Sequence, residues 1–330
     1  MINNIDAKYD IHVHVVGDGS SGSGCWMRLT PWQRLLSKVM LSNIDLPSNA
    51  LKTNFDVLYA DRLIKWVEES SLDYFVILAE DQAYDENGKV IQGATSFYVP
   101  NDYIFELSKR CPKLLPGISI HPARPDALDE LERCLEKGAV LLKILPNSKN
   151  IDCKSKQYKR FWERMAEVRL PLLAHTGGEH TVPIIRKDLS TPQILEYPLQ
   201  CGVTVIAAHS GTKSGIFDED FFPLFVEMLN RYPNFYGDIS AFNIPLRSKY
   251  IKGTVCEEIS SRLLHGSDFP VPIQGLWPWL RGLIESDAYK TIQSVHNSLE
   301  RDYIIKKAVG YPEAVFLRAK NILRLHQLPI

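Results

Sequence analysis

Tyr9-Asp10-Ile11-His12-Val13-His14-Val15-Val16 alternates polar and apolar side chains with the period of two that marks a β-strand. His12 and His14 therefore project from one face of a rigid element, and imidazole is the commonest protein ligand for zinc and its neighbours. Taken alone, His-x-His is more often a half-buried strand with two satisfied histidines. Three later stretches shift that balance. Leu172-Leu173-Ala174-His175, Val205-Ile206-Ala207-Ala208-His209 and Leu263-Leu264-His265-Gly266-Ser267-Asp268 each run apolar and then end on a ligand-type side chain.

Outward from the first strand a regular rhythm appears. Short apolar runs at 72–79, 114–121, 140–145, 170–175, 203–209, 235–240 and 262–268 follow it, making eight strands. Helical patterns separate them: 31–70 with a break at Pro47-Ser48, then 100–110, 125–137, 156–168, 188–200, 219–231 and 247–261. Non-alternating strands spaced by amphipathic helices predict a parallel sheet covered by helices. Eight such units close into a (β/α)8 TIM barrel. The chain is read as a single barrel domain over 1–330, with additional C-terminal helices at 276–330 packed on its outside.

Composition agrees with a large, ordinary core. The chain has 330 residues, 45% hydrophobic and 23% charged, with a net charge of -1. That charge leaves no electrostatic footprint for nucleic acid or an anionic membrane, so a small-molecule partner is expected. Cysteines at 25, 111, 134, 153, 201 and 256 form no Cys-x-x-Cys pair, which predicts reduced thiols in a cytoplasmic protein. Neither a signal-peptide pattern nor a run of membrane-spanning length is present. The sequence leaves the oligomeric state open, a homo-oligomer included.

In a (β/α)8 barrel the active site lies at the C-terminal ends of the strands. His12 and His14 end strand one, His175 strand five, His209 strand six and Asp268 strand eight. Closure sets strand eight beside strand one, so Asp268 reaches a metal held by His12 and His14, with His175 approaching across the mouth. A single strand-end Asp is often only a helix cap. Five ligand-type residues at strand ends are hard to explain by packing.

With these residues in place the sequence resembles the amidohydrolase superfamily, specifically its amidohydrolase-2 branch. The resemblance rests on Asp10-Ile-His-Val-His14, Ser119-Ile-His-Pro-Ala-Arg124, Val140-Leu-Leu-Lys-Ile-Leu-Pro146, Ala174-His-Thr-Gly177, Ala208-His-Ser-Gly211, Gly266-Ser-Asp-Phe-Pro270 and the terminal helix around Asn321. It implies that His12, His14, His175 and Asp268 bind one divalent metal, by preference Zn2+, with Mn2+, Fe2+ or Co2+ as alternatives, and that His209 serves in catalysis beside it. It also implies a metal-dependent hydrolase acting on an amide, ester or lactone of a small organic acid. Non-oxidative decarboxylation of an aromatic or muconate-type acid is the alternative, and a non-catalytic metal-binding barrel the third reading.

The chemistry is narrow either way. Such a metal lowers the pKa of a bound water to roughly 7. Asp268 can take that water's proton and return it to the leaving group, and His209 can polarise a carbonyl or shuttle a proton. His121, Arg124, Lys143 and His180 are candidate substrate contacts, and Arg124, Lys143 and Lys213 suggest an anionic substrate. Lys143 also sits where binuclear relatives carry a carbamylated lysine; the expectation is one metal and an uncarbamylated Lys143. His265 is assigned to the other strand face, and His296 and His326 to surface positions of the terminal helices. Trp26, Trp32, Trp277 and Trp279 are potential pocket walls. The Gly-rich loop 17–24, directly after the first strand, is expected to act as a mobile lid.

Overall fold

The computed structural model describes residues 6–325; the Trp32 side chain and His326 lie outside the described residues. Eight parallel strands stand in chain order: β1 Tyr9–His14, β2 Tyr74–Leu78, β3 Leu114–Ile118, β4 Leu141–Ile144, β5 Leu172–His175, β6 Val205–Ala208, β7 Phe235–Asp238 and β8 Leu263–Leu264. The last strand closes onto the first. The Ile11 amide donates to the His265 carbonyl at 3.0 Å, the Asp268 amide to His12 at 2.9 Å and the His14 amide to Phe269 at 2.8 Å. The fold is the expected TIM barrel.

Alternation along each strand divides the apolar residues into two clusters. Ile11, Val76, Leu115, Leu141, Leu173, Ile206 and Leu264 fill the barrel, whereas Phe75, Ile77, Leu142, Leu172, Val205 and Leu263 pack outward against the helices. The same period fixes which polar residues turn inward. On β4, Lys143 follows the inner Leu141 by two; on β5, His175 follows the inner Leu173; and beyond β8, Asp268 lies four beyond the inner Leu264. His265 takes the outer phase and packs on Phe316, with ring centroids 5.0 Å apart.

The helices α1 Pro31–Asn43, α2 Phe55–Glu69, α3 Asn101–Arg110, α4 Ala127–Glu136, α5 Lys159–Glu167 and α6 Phe222–Arg231 fall on the expected segments. Two segments depart from expectation. Residues 188–200 and 247–261 form successions of short 3-10 and α turns rather than continuous helices. Pro192 and Pro198 remove amide donors from the first, and Gly253 weakens the second. After the barrel come α7 Ser286–Gln293 and α8 Ser298–Ala308, and α8 is tied to the strand end by Lys306, whose ammonium donates to the Gly266 carbonyl. His296 is exposed in the connection between α7 and α8. No helix among the described residues is long and apolar enough to cross a membrane.

The loop 17–24 is not the expected lid. None of its residues lines the barrel cavity, and it is gathered around the buried carboxylate of Asp56 on α2. Asp56 accepts from the amides of Asp18, Gly19 and Ser21 and from the hydroxyls of Ser21 and Ser23, at 2.7–3.2 Å. Its glycines serve that wrapping: Gly19, Gly22 and Gly24 take φ of 85°, 78° and 76°, left-handed backbone that other residues adopt at a cost. Burial alone would raise the Asp56 carboxyl, yet these donors hold it below the usual range. Asp56→Asn swaps an acceptor for an amide facing donors and is expected to destabilise by about 1–3 kcal/mol at pH 7. A depressed carboxyl stabilises above its unfolded pKa of about 3.9 and loses that contribution as pH falls through the lower folded value. The gap between wild type and variant in denaturant titrations should therefore close in acid, and a gap that stays constant contradicts the assignment.

Candidate functional site

A bulge in β1 begins the site. The pairing with β2 shifts between Asp10 and Val13, so Ile11 stays inside the barrel, Val13 joins the outer cluster and His14 stands opposite the inner Leu78. Bulges often re-aim side chains beside active sites, and this one sets two imidazoles at the centre of the mouth. His12 Nε2 and His14 Nε2 are 3.1 Å apart, and Asp268 Oδ1 is 3.3 and 3.4 Å from them. Donors on one tetrahedral ion with bonds of about 2.1 Å stand about 3.4 Å from each other.

His209 is brought in by its backbone. It follows the inner Ala208, so strand alternation would send it outward, but its φ of 60° turns the chain and its ring meets those of His12 and His175 at 5.3 and 4.9 Å. Asp268 is likewise left-handed, at φ 66°. Non-glycine residues in this region are uncommon, and such outliers gather at functional sites. Donor atoms of His12, His209 and Asp268 all lie within 4.8 Å of one another. His175 stands behind them, its Nε2 3.6 Å from Glu179 Oε2 and without a hydrogen-bond partner among the described residues.

Asp238, the last residue of β7, orders this cluster and was not singled out from sequence. Its Oδ2 accepts from His12 Nδ1 at 2.7 Å; its Oδ1 accepts from the His209 amide at 2.7 Å and from the Ser240 hydroxyl at 2.5 Å. With the His12 proton held on Nδ1, the Nε2 lone pair faces the site. The Ser240 hydroxyl is committed to Asp238, so its oxygen accepts from His209 Nδ1 at 2.8 Å, which leaves His209 Nε2 as an acceptor too. That tautomer suits a proton acceptor rather than a donor to a carbonyl.

Electrostatics points the same way. Burial pushes His12 and His175 down to about 4 and His209 well below its usual value, so all three are neutral at pH 7. Burial opposes ionisation of Asp238, Asp268 and Glu179, but neighbouring histidines, His12 first for both aspartates and His175 for Glu179, hold each carboxyl below its ordinary range. Neutral imidazoles and ionised carboxylates converging in a buried site are the protonation states a divalent cation requires. An orphaned His175 Nε2 adds an unused donor. The residues fit a metal ion.

His14, His175, Glu179, His209 and Asp268 line a cavity of about 480 Å³. Lys143 lines it, buried, with Nζ 3.0 Å from His12 Nε2, and burial lowers its pKa. His180 lies at the rim beside Asp218, at 3.1 Å. His121 and Arg124 do not line it. His121 Nε2 donates to the Lys149 carbonyl at 2.9 Å while its Nδ1 accepts from the Ala123 amide, and Arg124 pairs with Asp81 and Asp126. Lys213 donates to the Ile216 carbonyl. The described tryptophan side chains Trp26, Trp277 and Trp279 are absent from the walls; Trp26 stacks on Tyr98 and Trp279 on Tyr289.

Arg247 and Glu179 complete the polar end and were also missed. Arg247 is buried, donates to the Gly178 carbonyl at 2.9 Å and leaves Nε without a partner among the described residues. Glu179 had a signal, an acid four residues after His175, but His180 beside it drew the reading. Arg247 had none, since only the fold carries it to the mouth.

Among solved structures, an uncharacterised TIM-barrel protein from Bordetella bronchiseptica superposes with a TM-score of 0.58 at 15% identity, covering 91% of this chain and 99% of that one. A putative 2-pyrone-4,6-dicarboxylic acid hydrolase from Pseudomonas putida superposes with a TM-score of 0.53 at 12% identity, covering 95% and 98%. These likenesses concern the fold. No curated protein matches the sequence. The amidohydrolase family profile matches residues 9–286, and the chain belongs to that family.

Proposed function

We propose that the protein is a metal-dependent hydrolase that cleaves an amide, ester or lactone with water, using one divalent ion, by preference zinc, at His12, His14, His175 and Asp268. The observation that carries this reading is the 3.1–3.4 Å triangle of His12 Nε2, His14 Nε2 and Asp268 Oδ1. Bound there, the ion supplies Lewis acidity and a water acidic enough to react near neutral pH.

The chain's own groups do the rest. Asp268, ionised, would accept the proton of the attacking water as its oxygen adds to the carbonyl carbon, then return it to the nitrogen or oxygen whose bond to that carbon breaks. His209 Nε2 offers a second acceptor, its ring fixed by Ser240. Arg247 lines the pocket, and its buried guanidinium holds an oxygen of the substrate and stabilises developing negative charge there. Lys143 Nζ stands 3.0 Å from His12 Nε2, the atom that would hold the ion, so in a loaded site Lys143 would be left to an anionic group of the substrate.

The same two cations favour a second reading, decarboxylation of a bound carboxylate. Turnover of lactones, esters, amides and carboxylated phenols in 18O-labelled water separates the two. Label in the product acid is expected; CO2 release without label overturns hydrolysis.

Asp238 acts through His12 rather than on substrate. Asp238→Asn turns an acceptor toward the His12 Nδ1 proton into a competing donor, and metal affinity is expected to fall roughly 10–100-fold. Competition with a chromogenic chelator reads this directly; unchanged affinity would remove Asp238 from the site.

A further inference from the structure

The cavity extends well beyond the groups that the reaction uses. From His14 and Asp268 it runs beneath α1, where Met27, Leu29, Met40, Leu41, Ile44 and Phe55 line it, with Pro270 and Val271 beside Asp268. The two polar residues that α1 contributes to this wall are already engaged. Gln33 Oε1 accepts from the Thr30 amide and hydroxyl while its Nε2 donates to the Thr181 carbonyl, and the Ser37 hydroxyl donates to the Arg34 carbonyl. This arm therefore offers a ligand contact area and almost no hydrogen bonds. Water there is poorly held and is displaced favourably by an apolar group. Two methionines in the wall, unbranched and flexible, suit a chain of variable shape better than a rigid ring.

The geometry points to a substrate with an apolar alkyl chain: its scissile carbonyl sits at the His12, His14 and Asp268 end, and the chain lies in the arm under α1. This rests on the hydrolase reading, and it adds a substrate class: esters, amides or lactones of medium-chain acids. Hydrolysis of such a substrate consumes one water, breaks the carbonyl carbon's bond to oxygen or nitrogen and releases a medium-chain carboxylate.

That carboxylate is a probe that needs no turnover. Calorimetric titration of the metal-loaded protein with acetate, butyrate, hexanoate and octanoate should show affinity rising roughly fourfold per added methylene until the arm is full. Met40→Trp, which fills the arm from a half-buried position, should abolish the gain for octanoate and leave acetate unchanged, with Ser37→Phe as a second block and circular dichroism confirming the fold. Equal affinity along the series, or benzoate binding more tightly than octanoate, would overturn the chain. The two readings fail separately. Hydrolysis of acetyl esters with a flat chain-length profile sinks the alkyl chain and spares the hydrolase; a rising binding series in a protein that cleaves no ester, amide or lactone sinks the hydrolase.

Discussion

Replacing Asp268 with Asn is expected to lower kcat by roughly 10²–10⁴-fold, the usual contribution of a positioned acid–base group. Asparagine keeps the size and an oxygen donor, so the 3.3 and 3.4 Å approaches to His12 and His14 can persist and the metal can stay. It cannot take a proton. Metal content near wild type with a collapsed rate is the expected pair of results, and wild-type turnover in the metal-loaded variant would exclude Asp268 as the proton carrier.

His12→Ala is expected to remove most of the bound metal and to unsettle the fold, for separate reasons. The lost Nε2 breaks the triangle of donors. The lost Nδ1–H leaves the fully buried Asp238 carboxylate short of a donor, and an unsatisfied buried polar group costs about 1–3 kcal/mol. His14→Ala separates the two effects. Its ring is partly exposed and its carboxylate neighbour, Asp268, keeps His12 at 3.3 Å, so elemental analysis should show metal loss while the unfolding midpoint of the metal-free protein falls less than in His12→Ala. One metal per chain retained in both variants would place the ion elsewhere.

Most of the barrel was legible because two independent patterns agree. Apolar runs gave the strands, and ligand-type residues closed several of them, so His12, His14, His175, His209 and Asp268 pointed to one mouth before any coordinates. What stayed hidden depends on contacts between distant segments. Asp238 is a strand-end carboxylate like many others until its oxygens are seen between His12, His209 and Ser240. Loop 17–24 carries the composition of a flexible lid, and only the carboxylate of Asp56 on α2 explains why it is wrapped instead. Arg124 and His121 stand beside a strand end, but Asp81 and the Lys149 carbonyl engage them away from the cavity. His209 shows the limit of periodicity itself, since its left-handed backbone reverses the face that alternation assigns.

Anomalous diffraction from crystals of the zinc-loaded protein, collected on either side of the zinc edge, locates the ion. One peak per chain is expected within bonding distance of His12 Nε2, His14 Nε2 and Asp268 Oδ1, with His175 as the fourth protein ligand and His209 Nε2 free. A peak bound away from this triangle, or two peaks bridged through Lys143, would contradict it.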